Sequence, residues 1–400
     1  MFETVTLCPP DAVFGLTEEF KRDSNPDKVN LSVGVYRDEQ GQTPVMRSVH
    51  HAEQRMLDEH QGHTYLPIDG LPGYNRSVAE LIFGPDHPVI QQQRFATVQT
   101  PGGTAALRIA GEILKRQCGV STIWISNPTW SNHLQIYRAA GLELQQYDYL
   151  DPQGTGLDFD SVCRGVEAAQ PGDAILVHTV CHNPTGVDLD SEQWNELLQR
   201  ISDQQLYPIF DFAYQGFGAG LNLDAEPIRR FASGETFNGE AFVCNSFSKN
   251  FNLYGERVGG ISITASTSEA ATAMLSQLKS IVRTMYSNPP KHGGAIVERV
   301  LRDETLKTDW EAELDGIRQR IQELRIAFVD QMSQRLPGVD FNHIKNQRGM
   351  FSYSGISAEH VDRLKNEFGI YLLRSGRINI AGLNRKNLDY VCSAIASVLS

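Results

Sequence analysis

The sequence predicts an α/β protein, with a large domain on a mainly parallel sheet and a smaller α/β domain in the tail, which about 45 N-terminal residues are expected to join by hypothesis and not from the pattern. Three observations carry this. Short apolar runs alternate with amphipathic segments through the middle of the chain. These runs stop at turn residues or at polar groups. After about residue 305 the alternation gives way to a long helical stretch and then a mixed tail. Short apolar strands separated by helices make a parallel sheet covered on both faces.

The first element legible in detail is a helix after Pro101-Gly102-Gly103. Thr104 is placed to cap it, because a hydroxyl can accept from an orphan N–H. Ala106, Ile109, Ala110 and Ile113 follow at i, i+3, i+4 and i+7, which makes one apolar face. Lys115 and Arg116 suit the negative end, and Gly119 can end the helix. Two bare glycine backbones before a positive helix end form a seat for an anion such as phosphate.

Five strands are then expected, at Thr122–Ser126, Ala174–His178, Tyr207–Asp211, Ala241–Asn245 and Gly260–Thr264. Amphipathic segments such as Ser131–Ala140 and Asp190–Ser202 separate the first four. Beyond a helical stretch at roughly 305–335, strands are expected at Met350–Tyr353 and Ile378–Ile380. Helices are expected at Ala358–Glu367 and Lys386–Val398. The expected division is a large domain over 46–305 and a small one from 1–45 with 306–400.

Composition excludes several classes. The 400 residues suffice for two domains. With 40% hydrophobic and 21% charged residues the chain is neither disordered nor a coiled coil. A net charge of −12 argues against nucleic-acid binding, although a local basic pocket stays open to it. No apolar run reaches 18 residues, so no membrane partner is expected. The start, Met1-Phe2-Glu3, shows no secretory pattern, and Glu3 and Asp11 do not suit a transit peptide. Cys8, Cys118, Cys163, Cys181, Cys244 and Cys392 contain no Cys-x-x-Cys pair, so mostly buried, reduced thiols in a cytoplasmic protein are expected. His178, Cys181 and His182 cluster at the end of an apolar strand, but no further ligand pair follows at zinc spacing and no metal is expected.

The strand ends carry the chemistry. Asn183 follows one strand, Asp211 ends another with Tyr214 three residues on, and Ser246, Ser248 and Lys249 follow a third. Arg257 comes eight residues after Lys249. Ligands of an α/β sheet bind at the carboxyl ends of its strands, so these groups can converge on one crevice. An amine, an acid, a phenol, hydroxyls and a guanidinium together match a phosphorylated pyridine aldehyde. Singly, each has an ordinary structural explanation as a cap, a turn or a packed aromatic.

Ser246-Phe-Ser-Lys249-Asn-Phe-Asn-Leu-Tyr-Gly-Glu-Arg257-Val-Gly resembles the lysine segment of class I aminotransferases, the aspartate and aromatic amino acid family. The resemblance spans nearly all the chain. It includes Asn30-Leu-Ser-Val-Gly34-Val-Tyr, Tyr65-Leu-Pro-Ile-Asp-Gly, Thr100-Pro-Gly-Gly-Thr104 and Asn127-Pro-Thr-Trp130-Ser-Asn-His133. It continues through Cys181-His-Asn183-Pro-Thr-Gly186, Asp211-Phe-Ala-Tyr214-Gln-Gly, Arg283-Thr-Met-Tyr-Ser-Asn288-Pro-Pro and Ser375-Gly-Arg377. It implies the fold type I of pyridoxal-phosphate enzymes and a homodimer whose active sites share residues.

The resemblance also implies roles. Lys249 would hold pyridoxal 5'-phosphate as a Schiff base and, once displaced, shuttle the proton between substrate Cα and cofactor C4′. Asp211 would keep the pyridine nitrogen protonated, and His133 would brace Asp211. Tyr214 and Asn183 would bond the phenolic oxygen, and Trp130 would stack on the ring. Gly103, Thr104, Ser246, Ser248 and Arg257 would hold the phosphate, joined by Tyr65 from the partner subunit. Arg377 would bind the substrate α-carboxylate, leaving its neighbour Arg374 as surface charge. Arg283 of the other subunit would meet a distal carboxylate, and Gly34 would close over the substrate.

For the donor, two sets of residues pull apart. Leu66-Pro-Ile-Asp-Gly-Leu, Asn245-Ser-Phe-Ser-Lys and Asn346-Gln-Arg-Gly-Met-Phe-Ser-Tyr look closer to the bacterial aromatic branch. Val35, Thr43, Thr104 and Asn288 look closer to the aspartate branch. The expectation is transfer from tyrosine, phenylalanine and aspartate to 2-oxoglutarate by a ping-pong mechanism. A strict aspartate enzyme is the alternative, and a lyase or decarboxylase on the same fold is a more distant one.

Overall fold

The computed structural model describes residues 2–7, 11–60 and 62–400, so Cys8 lies outside the described residues. Strand β1 (Val29–Asn30) opens the sheet elements. It is followed by β2 (Phe95–Thr100), β3 (Thr122–Asn127), β4 (Glu143–Asp148) and β5 (Ala174–His178). Next come β6 (Tyr207–Phe212), β7 (Ala241–Ser246) and β8 (Gly259–Thr264). The tail adds β9 (Phe351–Tyr353), β10 (Ile370–Tyr371) and β11 (Arg377–Asn379).

Seven strands form the central sheet in the order β2-β8-β7-β6-β5-β3-β4. All adjacent pairs are parallel except those of β8, which runs against both β2 and β7. Alternation along β5 explains the two covered faces. Ile175 and Val177 enter one apolar cluster, and Ala174 and Leu176 the other.

The sheet order creates the site. From β3 the chain steps outward to β4, then returns to place β5 on the other side of β3 and continues through β6 and β7. That reversal is a switch point, where the loops after β3 and β5 leave in opposite directions and open a crevice. β3 and β5 pair only at Ile123–Ala174 and Trp124–Ile175, whereas β3 and β4 pair along six residues. Because β8 is antiparallel to two neighbours, β2 points the same way as β7. Its carboxyl end at Thr100 therefore meets the same sheet edge, where Gly259 pairs with both Thr100 and Ser246. A Cβ on Gly259 would lie 2.7 Å from the Gly102 carbonyl carbon and 2.9 Å from Gly103 N, so only glycine lets these backbones meet.

The helix at Gly103–Arg116 corrects one expectation. Its N-cap is Gly102 at φ 84°, with no side-chain cap, and Thr104 is already inside the helix. The tight turn at Gly102 leaves the first amides open instead of capped. Asp190 caps Ser191–Asp203 in a capping box with Gln193. The long helix spans Glu304–Arg335, and the tail helices span Ala358–Phe368 and Leu388–Leu399. β1 pairs in parallel with β10 through Val29–Ile370 and Asn30–Tyr371, so the N-terminal segment joins the tail. β9 and β11 pair antiparallel and set Arg377 opposite Tyr353.

Candidate active site

The loops after β3, β5, β6 and β7 bring most of the expected residues together. Asp211, near the end of β6, accepts from His133 Nε2 at 3.1 Å on Oδ2. Proton positions along the row behind it follow from one backbone donor. The Asn183 N–H donates to His178 Nδ1 at 3.2 Å, so His178 carries its proton on Nε2. That nitrogen donates to Thr129 Oγ1 at 3.2 Å, and the Thr129 hydroxyl donates to His133 Nδ1 at 2.9 Å. His133 is thereby left with its proton on Nε2, aimed at Asp211. Burial, with His133 alongside, pushes His178 down to about 3, so it stays neutral. Burial pulls Asp211 upward, but the His133 bond and the nearby cationic groups, Lys249 among them, outweigh it and hold the carboxyl below its ordinary value.

His133, His178 and Asp211 offer ligand atoms within 4.8 Å of one another. All four ring nitrogens already have the partners just named, which leaves no imidazole lone pair for an ion. Cys181 is turned elsewhere, with a Cβ on Gly349 falling 2.7 Å from its sulfur.

Lys249 follows β7, with Nζ 5.1 Å from the centre of the Tyr214 ring. Burial, reinforced by Arg257 and Arg377 and opposed by Asp211, lowers the amine to about 8. Burial drives the Tyr214 hydroxyl far upward, so it remains a proton donor. Trp130 lies edge-on to His133 with centroids 5.2 Å apart.

An anion cup closes the other side. Arg257 Nη1 donates to Ser248 Oγ at 3.2 Å, and the Ser248 amide donates to Ser246 Oγ at 3.2 Å. The Arg257 guanidinium fills the place a Gly102 side chain would need, and a Cβ on Gly103 would sit 3.2 Å from Ser246 Cβ. Open amides at a helix start, two hydroxyls and a fork-shaped cation suit a phosphate dianion.

Arg377 is the buried cation of the site. It donates to Asn183 Oδ1 at 3.0 Å and to the Ser32 carbonyl at 2.5 Å, and its guanidinium lies 3.9 Å above the Phe351 ring. Its Nε is buried without a partner, and burial lowers the group to about 10. With Asn183 Oδ1 taken, the Asn183 amide NH2 is left as a donor. Gly34 closes the same corner, where a Cβ would come within 2.5 Å of Phe351 Cζ. Arg374 is instead exposed and paired with Asp362 at 3.0 Å.

Two expected residues are not brought to this cluster by the chain's own fold. Tyr65 is 92% exposed, and Arg283 stands exposed on its helix with Nη1 on Ser287 Oγ. Thr129, His178, Asp188 and Phe351 are supporting residues to which sequence reading gave no role. Asp188 accepts the Cys181 and His182 amides at 2.8 and 2.9 Å and so fixes the turn before Asn183.

A family model described as aminotransferase class I and II matches residues 26–395. The chain belongs to this family. It is 47% identical over 399 residues to an aspartate aminotransferase of Haemophilus influenzae, with the whole of both chains covered. It is 45% identical over 400 residues to an aromatic-amino-acid aminotransferase of Escherichia coli, again with full coverage. Among solved structures, an aromatic-amino-acid aminotransferase from Burkholderia pseudomallei, described as covalently bound to pyridoxal phosphate, superposes with a TM-score of 0.96. The two are 44% identical, and each chain is fully covered. A class I and II aminotransferase thus accounts for a crevice that joins a lowered amine, a buried anion and an anion cup.

Proposed function

We propose that this chain is a pyridoxal-phosphate-dependent aminotransferase that moves the amino group of tyrosine, phenylalanine and aspartate to 2-oxoglutarate. The observation that carries the reading is the convergence of Lys249, Asp211 and the Gly102–Thr104 cup on one edge of the sheet, at the carboxyl ends of β7, β6 and β2. When bound, the cofactor supplies an aldehyde for the amino group and a ring that draws electrons from Cα. Lys249 would anchor it and take the proton from substrate Cα. Asp211, set by His133, would keep a proton on the ring nitrogen. Tyr214 and the Asn183 amide would donate to the phenolic oxygen, and Trp130 would cover the ring face. Gly103, Thr104, Ser246, Ser248 and Arg257 would hold the phosphate. Arg377 would take the α-carboxylate as a planar fork, under the Gly34 backbone.

A homodimer completes the proposal, with Tyr65 reaching the phosphate and Arg283 the distal carboxylate of the neighbouring site. The exposure of both is what supports it. The division into 46–305 and the two ends is likewise proposed, supported by the β1–β10 pairing. A cytoplasmic location is proposed because Cys118, Cys163, Cys181, Cys244 and Cys392 are unpaired. Among the described residues no helix is long and apolar enough to cross a membrane.

Two measurements test this reading. Borohydride reduction of the cofactor-loaded chain should fix the label on Lys249, and a label elsewhere would overturn the assignment. In the cofactor-free chain, the rate of cofactor capture should rise about tenfold per pH unit until about pH 8, then level off, because only the neutral amine reacts. A midpoint near the ordinary value of 10.5 would show that burial does not activate Lys249.

The donor is tested at Arg283. Losing a charge-assisted pair predicts a fall of about 10–100-fold in kcat/KM for aspartate in Arg283→Ala, with tyrosine changed less than about threefold. An aromatic ring binds without that charge only if the guanidinium swings away, which avoids burying it unpaired. Equal losses would contradict the distal-carboxylate role.

A further inference from the structure

Asn379 lies two residues beyond Arg377 on β11, on the same face of the strand, and is 1% exposed. Its Nδ2 donates to the Val33 carbonyl at 2.7 Å and to the Val35 carbonyl at 2.9 Å. These two carbonyls flank Gly34. The Val35 amide closes a tight turn on Val33 O at 2.9 Å, and Arg377 Nη2 holds Ser32 O just before it. The Asn379 amide also donates along the backbone to Leu31 O at 2.9 Å, and Phe351 is its partner across β9. One side chain therefore joins the segment over the substrate to the strand that carries the α-carboxylate cation.

The orientation of the Asn379 amide is forced. A flipped group would face two carbonyl oxygens with a third oxygen. In the orientation seen, Oδ1 is left buried without a partner. Leucine would fill a similar volume without the orphan Oδ1, but it would donate to neither carbonyl. The residue is therefore suited to donation of two hydrogen bonds and poorly suited to packing alone.

We propose that Asn379 is a positioning residue that sets substrate affinity, by fixing the Gly34 backbone against Phe351 and Arg377. It touches neither reacting atom; it acts through the carbonyls of Val33 and Val35. This inference rests on the aminotransferase reading above.

The test uses the holoenzyme with Asn379→Asp, which faces both carbonyls with an anion, and Asn379→Ala, which removes both donors. KM for amino acid and oxo acid should rise about tenfold or more, while kcat stays within about threefold, the pattern of lost uniform binding. Cofactor absorption and Lys249 labelling should match the parent, and amide exchange should quicken over 33–37 only. KM values within about twofold of the parent, or a fall in kcat with KM unmoved, would overturn the proposal. So would exchange quickened across the whole tail, the mark of a merely structural role. If neither variant folds, exchange in the unaltered holoenzyme decides. The amides of Val35 and Asn379 should open with one common free energy, and a Val35 amide that opens far more readily overturns the idea. A parent without cofactor band or turnover would instead remove the underlying reading.

Discussion

Lys249→Ala is expected to lower kcat by about 10⁴-fold or more, through loss of the amine proposed to anchor the cofactor and to take the Cα proton. The structure gives the reason for the size of the effect. The amine is held at about 8, so a useful fraction is neutral near physiological pH, and no other primary amine among the described residues stands on the Tyr214 ring. Lys249→Arg should be nearly as inactive although it restores the charge, because a guanidinium does not release its proton in this range. The cup built from Gly102, Gly103, Ser246, Ser248 and Arg257 is untouched in both variants, so cofactor should still bind without a covalent link. The measurement is single-turnover kinetics together with cofactor retention on a desalting column. Turnover within about tenfold of the parent in either variant would remove Lys249 from the reaction.

The strands that carry these groups were legible where burial on both faces demanded apolar runs, as in β5 with Ala174, Ile175, Leu176 and Val177. Two strands of the same sheet escaped detection for opposite reasons. β4 (Glu143–Asp148) is an edge strand in which exposed Glu143, Gln145, Gln146 and Asp148 interrupt Leu144 and Tyr147, so it never forms an apolar run. β2 is buried but rich in polar residues that are paired inside. Thr97 bonds Ser262 at 2.8 Å, and Gln99 bonds the Pro290 carbonyl at 2.8 Å. Neither pairing can be known before the fold is.

Thr104 is not a cap, although capping is a common use of a hydroxyl near a helix start. Here the turn at Gly102 starts the helix and leaves the amides free for a ligand. At the site, Lys249, Asp211 and Asn183 are legible because each lies at or just beyond the carboxyl end of a strand at the same sheet edge. His178 and Thr129 were not, since a relay of ring nitrogens depends on which side chains the crossing loops bring within 3.2 Å. Asn379 had a signal in period 2, two residues from Arg377, but nothing in the sequence said that its partners would be backbone carbonyls near Gly34.

Asp211→Asn should reduce kcat by about 10–100-fold at least, the value of one charge-assisted hydrogen bond of about 1.5–3 kcal/mol. The amide oxygen can still accept from His133 Nε2, so this variant removes the charge and keeps the brace. Asp211→Ala should be worse, because it also leaves the buried His133 N–H without an acceptor and breaks the relay through Thr129 to His178. The order Ala below Asn below parent separates the two contributions, and equal losses would show that His133 adds nothing. Acid behaviour gives a second measurement. The native carboxyl titrates below its unfolded value of 3.8, so its contribution to stability is complete above that value and fades as pH falls through the lower native one. Thermal unfolding of the parent and of Asp211→Asn should therefore differ by a constant amount at neutral pH and converge only in strong acid. Convergence already near pH 6 would mean that the acid is protonated in the working enzyme, and a neutral acid there could not keep a pyridine nitrogen charged.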